Sequence, residues 1–247
     1  MNQLRHVGII MDGNGRWAQQ ANRPRFFGHI KGARVAKKII TESAKKKLEY
    51  LTLYTFSSEN WLRPESEVSF LMKLLKRYLV KETQTLIQQN IRFTAIGQIS
   101  KLPEEVIEVI NNTIKATAHC TGMNLTFALS YSSKHEITIA AQKIAEKIFK
   151  NEISPEQINE NLFAQFLSSY PAPEIDLLIR TSGEKRLSNF MLWQSAYAEL
   201  FFSNTLWPDF NELEFNEIID QFYKRNRRYG NIFSLNKDLS ENAELSN

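Results

Sequence analysis

Short apolar runs alternate along this chain with longer stretches of helical spacing, and that alternation restricts the fold more than any other feature. Residues 6–11 read as a buried strand that ends in the turn Asp12-Gly13-Asn14-Gly15. Residues 32–47 place Val35, Ile39, Ile40 and Ala44 at helical intervals, and residues 50–56 form a second strand. Pro64 opens a long helix over 65–89, with Val68, Leu71, Leu74, Leu75, Tyr78 and Leu79 on one face. Strands at 91–97, 124–129 and 175–179 follow, among helices at 103–119, 135–149 and 157–167, and a last helix spans 210–225. This order predicts an α/β domain over 1–230, a mostly parallel sheet with helices on its faces. Residues 231–247, rich in Ser, Asn and Glu, read as a loose tail.

Composition excludes several classes. At 247 residues, 43% of them hydrophobic, the chain can bury one sizeable core. Cys120 is the only cysteine, so neither an intrachain disulfide nor a cysteine metal site is available. A net charge of +4 suits an anionic substrate and is too small for a nucleic-acid-binding surface. No apolar run reaches the roughly 18 residues that span a bilayer, and no signal-peptide pattern opens the chain. The expected address is the cytoplasm.

In a parallel sheet, ligands gather beyond the carboxyl ends of the strands, and the unusual residues of this sequence cluster there. Asp12-Gly13-Asn14-Gly15-Arg16-Trp17 follows the first strand. Its glycines let backbone N–H groups approach a ligand, and Asp12 suits a hard cation such as Mg²⁺; a tight turn with a capping Asp explains it equally simply. A dinucleotide fingerprint also fits Gly13-x-Gly15-x-x-Ala18, but its acidic partner would have to be Glu59, far too distant. Arg23, Arg25 and His29 come next, either a diphosphate grip or a solvated basic loop. Ser57-Ser58-Glu59-Asn60-Trp61-Leu62-Arg63-Pro64 follows the second strand and concentrates hydroxyls, an amide, an indole and a guanidinium in one loop. Arg180 closes an apolar strand, where an unpaired charge is costly, and with Arg186 and Ser188 it forms an oxyanion site. Glu199, before Leu200-Phe201-Phe202, calls for a cation, whether a metal or an arginine. No Walker lysine motif, no His-Glu-x-x-His and no adjacent pair of aspartates is present.

Together these segments resemble the cis-prenyltransferase family, of the bacterial undecaprenyl diphosphate synthase type. The resemblance rests on residues 6–17, on residues 52–61 with Arg63-Pro64, on residues 180–190, on Trp193-Gln194 with Tyr197 and Glu199, and on Leu206-Trp207-Pro208-Asp209-Phe210. It implies a homodimer with a six-stranded sheet and a hydrophobic tunnel. It further implies condensation of isopentenyl diphosphate onto an allylic primer, farnesyl diphosphate, with Mg²⁺ as cofactor and transient contact with the inner membrane surface for product release. By the resemblance, Asp12 and Asn60 are catalytic and Asp12 and Glu199 are metal-linked. Gly13, Asn14, Gly15, Arg16, Trp17, Arg25 and His29 then bind the allylic diphosphate. Ser57, Ser58, Glu59, Trp61 and Arg63 close over the substrates, and Arg180, Arg186, Leu187 and Ser188 hold isopentenyl diphosphate. Arg228 and Gly230 form an element that reaches the partner subunit's site. Shorter cis products, or a non-catalytic subunit of the same fold, are the alternative roles.

The chain departs from the family pattern at three glycines, where it has Ser132, Ser133 and Ser182. If those glycines hold positive φ, each serine costs about 1 kcal/mol.

Overall fold

The fold is described by a computed structural model, for residues 3–225. Arg228, Gly230 and the tail 231–247 lie outside the described residues. Six strands are present: β1 (His6–Ile10), β2 (Tyr50–Ser57), β3 (Arg92–Ile96), β4 (Asn124–Tyr131), β5 (Leu177–Arg180) and β6 (Glu199–Phe202). They form one sheet in the order β3-β4-β2-β1-β5-β6, and every pairing is parallel. The helices are α1 (Asn14–Gln20), α2 (Arg25–Lys45), α3 (Glu65–Gln88), α4 (Glu104–Thr117), α5 (Ser133–Phe149), α6 (Glu160–Gln165) and α7 (Glu212–Lys224).

The central strands are apolar on both faces, as a doubly covered parallel sheet requires. Val7, Ile9, Leu51, Leu53, Leu177 and Ile179 point into a large core with α2, α3, α4 and α7. Their alternates Ile10 and Leu178 face a smaller core with Tyr131, Phe190 and Met191. The chain reverses direction across the sheet at β1, which has β2 on one side and β5 on the other. A crevice therefore opens beyond the carboxyl ends of β1 and β5, where Ile10 and Arg180 are register partners. Beside it, the pairing of β2 with β4 slips between Tyr54 and Ser57, an irregularity that turns the end of β2 into the following loop.

Three features differ from the sequence expectation. The turn after β1 becomes a helix at once: Gly13 takes φ 110° and α1 begins at Asn14. Helix α2 starts at Arg25, seven residues before the expected start at 32, so Arg25 and His29 are helical and not loop residues. Phe26 and Phe27 of this segment are both 39% exposed, so its apolar residues do not mark one buried helical face. Strand β6 is an additional edge strand; four residues, mostly half-exposed, carry too little apolar pattern to read.

Of the three serines at family glycine positions, only Ser182 holds positive φ, at 80°. Ser132 is extended, with φ −147°, and caps α5 by accepting a hydrogen bond from His135 N–H at 3.3 Å. The amide of Asn189 also donates to its Oγ at 2.7 Å, and Ser133 Oγ accepts from Leu192 N–H at 2.9 Å. These two serines therefore support the loop instead of straining it, and Ser132→Ala will cost about 1 kcal/mol of stability in urea unfolding, as loss of an N-cap does.

His6 is fully buried in β1. Its Nδ1 lies 2.8 Å from the Pro173 carbonyl, an acceptor only, so Nδ1 carries the proton and Nε2 accepts from the Thr52 hydroxyl at 2.8 Å. Burial pushes the His6 pKa down to about 4, against the smaller opposing effects of the Pro173 carbonyl and Asp176. The unfolded chain takes up a proton near pH 6.5 that the folded chain refuses until about 4, so stability is present above pH 6.5 and falls as the pH drops through that window. The loss is roughly 3 kcal/mol. Urea midpoints at pH 7.5 and pH 4.5 will show it, and a His6→Gln variant will show a smaller difference.

Candidate active site

Asp12, just beyond β1, and Arg180, the last residue of β5, meet at the crevice. Arg180 Nη2 donates to Asp12 Oδ2 at 2.8 Å, and Nη1 donates to the Arg186 carbonyl at 2.6 Å and to Ser188 Oγ at 2.7 Å. The Arg180 side chain is only 4% exposed, whereas Asp12 is 31% exposed. The Thr181 hydroxyl holds the backbone from below, donating to the Asp12 carbonyl at 2.7 Å. Burial works against ionisation of Asp12, but the hydrogen bond and charge of Arg180, with Ser182 and Arg16, outweigh it and hold the carboxyl below the usual range. Arg16, one turn along, lies 3.6 Å from Asp12 and 3.3 Å from Glu184 and donates to Ser182. Glu184 also receives Arg186.

Two arginines and a histidine surround Glu67, in the first turn of α3. Arg25 lies 3.1 Å, Arg63 3.0 Å and His29 3.4 Å from its carboxylate. The Arg25 guanidinium rests on Gly15, where a Cβ would come within 2.5 Å of Cζ, so the absent side chain at Gly15 is what lets Arg25 pack against α1. Burial and the neighbouring Arg63 lower the pKa of His29, although Glu67 pulls the other way. Glu67 was not singled out by its sequence; its i,i+4 spacing from Arg63 across Pro64 was the available signal.

His29 and Arg63 also line a cavity of about 890 Å³, open solvent included, between α2, α3 and the sheet. Asn14, His29, Asn60 and Arg63 line its mouth, and Ala36, Leu75, Tyr78 and Phe127 line its apolar end. The loop 57–63 contributes Asn60 and Arg63 to its lining. Ser57 and Asn60 make a reciprocal capping box, in which Asn60 Oδ1 accepts from Ser57 N–H at 3.2 Å. Trp61 packs edge-on against Phe56 and donates to Ser130 Oγ at 2.9 Å. Glu59, beside Ser58, accepts from the Asn189 amide at 3.2 Å.

Other expected residues fall elsewhere. Trp17 turns away from the cavity to donate to Asp209 Oδ1 at 2.9 Å, under Lys31. Leu187 packs in the smaller core, and the Arg186 side chain is mostly exposed. Glu199 does not join Asp12 within one chain. It opens β6 beside Leu177, while Phe202 lies beside Arg180, so parallel pairing puts Glu199 at the opposite edge of the sheet. Its carboxylate accepts from Arg225 at 2.6 Å.

The donor set bears on Mg²⁺. Among the described residues no three acidic, histidine or cysteine side chains form a metal cage. One partly exposed, ionised carboxylate beside several guanidiniums does fit Mg²⁺ that arrives with a diphosphate, since this cation is commonly held by one or two carboxylates and substrate oxygens.

Comparison with known proteins agrees with this geometry. Residues 10–230 match the family described as "Putative undecaprenyl diphosphate synthase". The isoprenyl transferase of Chlorobaculum tepidum is 50% identical over 92% of this chain and 85% of its own length. The Haemophilus influenzae ditrans,polycis-undecaprenyl-diphosphate synthase, named as farnesyl-diphosphate specific, is 48% identical over 93% of this chain and 96% of its own. Among solved structures, lavandulyl diphosphate synthase from Lavandula x intermedia, in complex with dimethylallyl diphosphate, superposes with a TM-score of 0.90 at 35% identity, covering 92% of this chain and 98% of that one. With five sequence motifs in order on a six-stranded parallel sheet, this chain belongs to the undecaprenyl diphosphate synthase family of prenyltransferases.

Proposed function

We propose that this protein condenses isopentenyl diphosphate onto farnesyl diphosphate, repeatedly and with cis double bonds, to make a long polyprenyl diphosphate of undecaprenyl length. The observation that carries this reading is an apolar cavity lined at one end by His29, Asn60 and Arg63, with Arg25 held beside His29 and Arg63 through Glu67. Such a site holds a diphosphate at its mouth and a hydrocarbon in its depth. The named relatives support the substrate class.

In each cycle the C–O bond at C1 of the allylic substrate breaks, and diphosphate leaves. The double bond of isopentenyl diphosphate forms the new bond to C1, and a proton is then lost to a diphosphate oxygen. Arg16 and Arg25 stabilise the charge that builds on the leaving diphosphate, with the unpaired N–H groups of the first turn of α1 beside them. Arg180, Arg186 and Ser188 orient the second diphosphate. Mg²⁺, when bound, is held by Asp12 and neutralises diphosphate charge. Each cation now rests on a carboxylate, Asp12, Glu67 or Glu184, so substrate binding exchanges one anion for another instead of uncovering bare charges. Each five-carbon unit that enters the cavity gains about 4 kcal/mol, at roughly 0.8 per CH₂, which draws growth inward. A homodimer, peripheral at the membrane when it releases product, completes the reading.

The test is incorporation of labelled isopentenyl diphosphate with farnesyl diphosphate, Mg²⁺ and a little detergent, with products resolved by length. The expected result is a ladder to undecaprenyl length, abolished by EDTA and by Asp12→Ala in protein that remains folded. A ladder that stops early keeps the chemistry and overturns the product; no incorporation with any allylic primer overturns the enzyme reading.

Asn60 is a weak base with its Oδ1 already bonded to Ser57 N–H, so its Nδ2 is the group left to donate into the cavity. It positions a diphosphate and does not keep the proton. Asn60→Asp preserves the cap but loses that donor, and turnover at neutral pH will fall about 10–100-fold, the equivalent of roughly 1.5–3 kcal/mol for a bond to a charged group. Undiminished turnover in single-turnover assays would falsify the positioning role.

A further inference from the structure

Helices α2 and α3 run parallel, and their contacts climb in step. Arg25 and His29 meet Glu67, Lys37 meets Glu82, and Thr41 meets Gln89. The seam between them is apolar only in its middle, where the cavity lies. Its deepest lining residues are Ala36, next to Lys37 in the chain, and Tyr78, one turn before Glu82 on the same face of α3. The next residues along both helices, just beyond this lining, form an ion pair. Lys37 Nζ sits 2.6 Å from Glu82 Oε2, with the glutamate side chain 6% exposed and the lysine 45% exposed. No hydrogen bond of regular geometry reaches that buried oxygen, so Lys37 alone compensates its burial. The Thr41–Gln89 pair, at 3.2 Å and 3.3 Å, keeps the seam polar below it.

We propose that the Lys37–Glu82 pair is a polar stop that limits the length of the hydrocarbon the cavity accepts. The proposal rests on the reading of the cavity as the acceptor of a growing polyprenyl chain. An apolar seam would let a lengthening chain wedge between the helices, exchanging one hydrocarbon contact for another. A salt bridge resists this in two ways. It latches α2 to α3 at the foot of the cavity, and its carboxylate loses all compensation if a hydrocarbon separates it from Lys37. Growth inward is favourable until the chain end meets charge, and there the gain of burying a further unit is opposed. Lys37 and Glu82 are specificity-determining residues in this sense and take no part in the chemistry.

The test replaces the pair with methionines, Lys37→Met with Glu82→Met, a change of similar volume that leaves the seam apolar. Products from farnesyl and isopentenyl diphosphates are resolved by length. The expected result is a distribution lengthened by at least one isoprenyl unit; Glu105→Gln, which breaks the exposed Lys76–Glu105 pair, leaves it unchanged. An unaltered or shortened distribution overturns the proposal. If the double variant does not fold, Glu82→Gln carries the test in the same direction. Calorimetric binding of n-alkyl diphosphates of increasing length separates this inference from the assignment of the reaction. Wild-type affinity will rise with chain length to a limit, and the limit will move to longer chains in the variant. A wild type without turnover would remove the assigned reaction, and an unmoved binding limit would then remove the polar stop.

Discussion

The ion pair between Asp12 and Arg180 joins the ends of two neighbouring strands, and the site is organised around it. A guanidinium that is 4% exposed must be partnered, because removal of one member of a buried pair costs about 3–5 kcal/mol. Arg180 meets this need with three acceptors drawn from two loops: Asp12, the Arg186 carbonyl and Ser188. In doing so it draws the loop after β5 toward the loop after β1. The same bond keeps Asp12 ionised while leaving part of its side chain open to solvent.

Each arginine of the crevice has a carboxylate partner, three carboxylates serving five guanidiniums. Glu67 gathers Arg25, His29 and Arg63, and Glu184 gathers Arg16 and Arg186. These carboxylates offset part of the repulsion among the clustered guanidiniums. The pairs made by Arg16, Arg25 and Arg186, whose side chains are about half exposed, are individually weak. Helix α3 carries acids on both sides of the cavity: Glu67 at its start gathers Arg25 and Arg63, and Glu82, four turns on, pairs with Lys37, with the lining residues Leu71 to Tyr78 between them.

The serines at glycine positions show how a sequence departure divides once the backbone is known. Ser182 occupies the left-handed region and uses its hydroxyl to hold Arg16. Ser132 and Ser133 begin a helix, where a hydroxyl is an asset, and they tie α5 to the loop that carries Asn189. The strain expected at all three is present at one.

Sequence alone determined the layer architecture and the loops that carry chemistry. Apolar strands alternating with helices can satisfy their backbones and bury their faces only as a parallel sheet, and a parallel sheet sends every strand-to-helix loop to one edge. Asp12, Asn60, Arg63 and Arg180 were therefore legible as neighbours although they are distant in the chain. Tertiary structure decided the pairings. Glu199 looked like a companion of Asp12 because both are acids next to apolar strands, but parallel register assigned it to the far edge, since it begins its strand instead of following one. Glu67 looked like an ordinary first-turn acid until α2 brought Arg25 and His29 against it. Lys37 and Glu82 belong to different crossovers, and only the parallel packing of α2 on α3 makes them a pair. Local periodicity reports which face of an element is apolar; which charge meets which depends on how whole elements are placed, and no window of sequence contains that information.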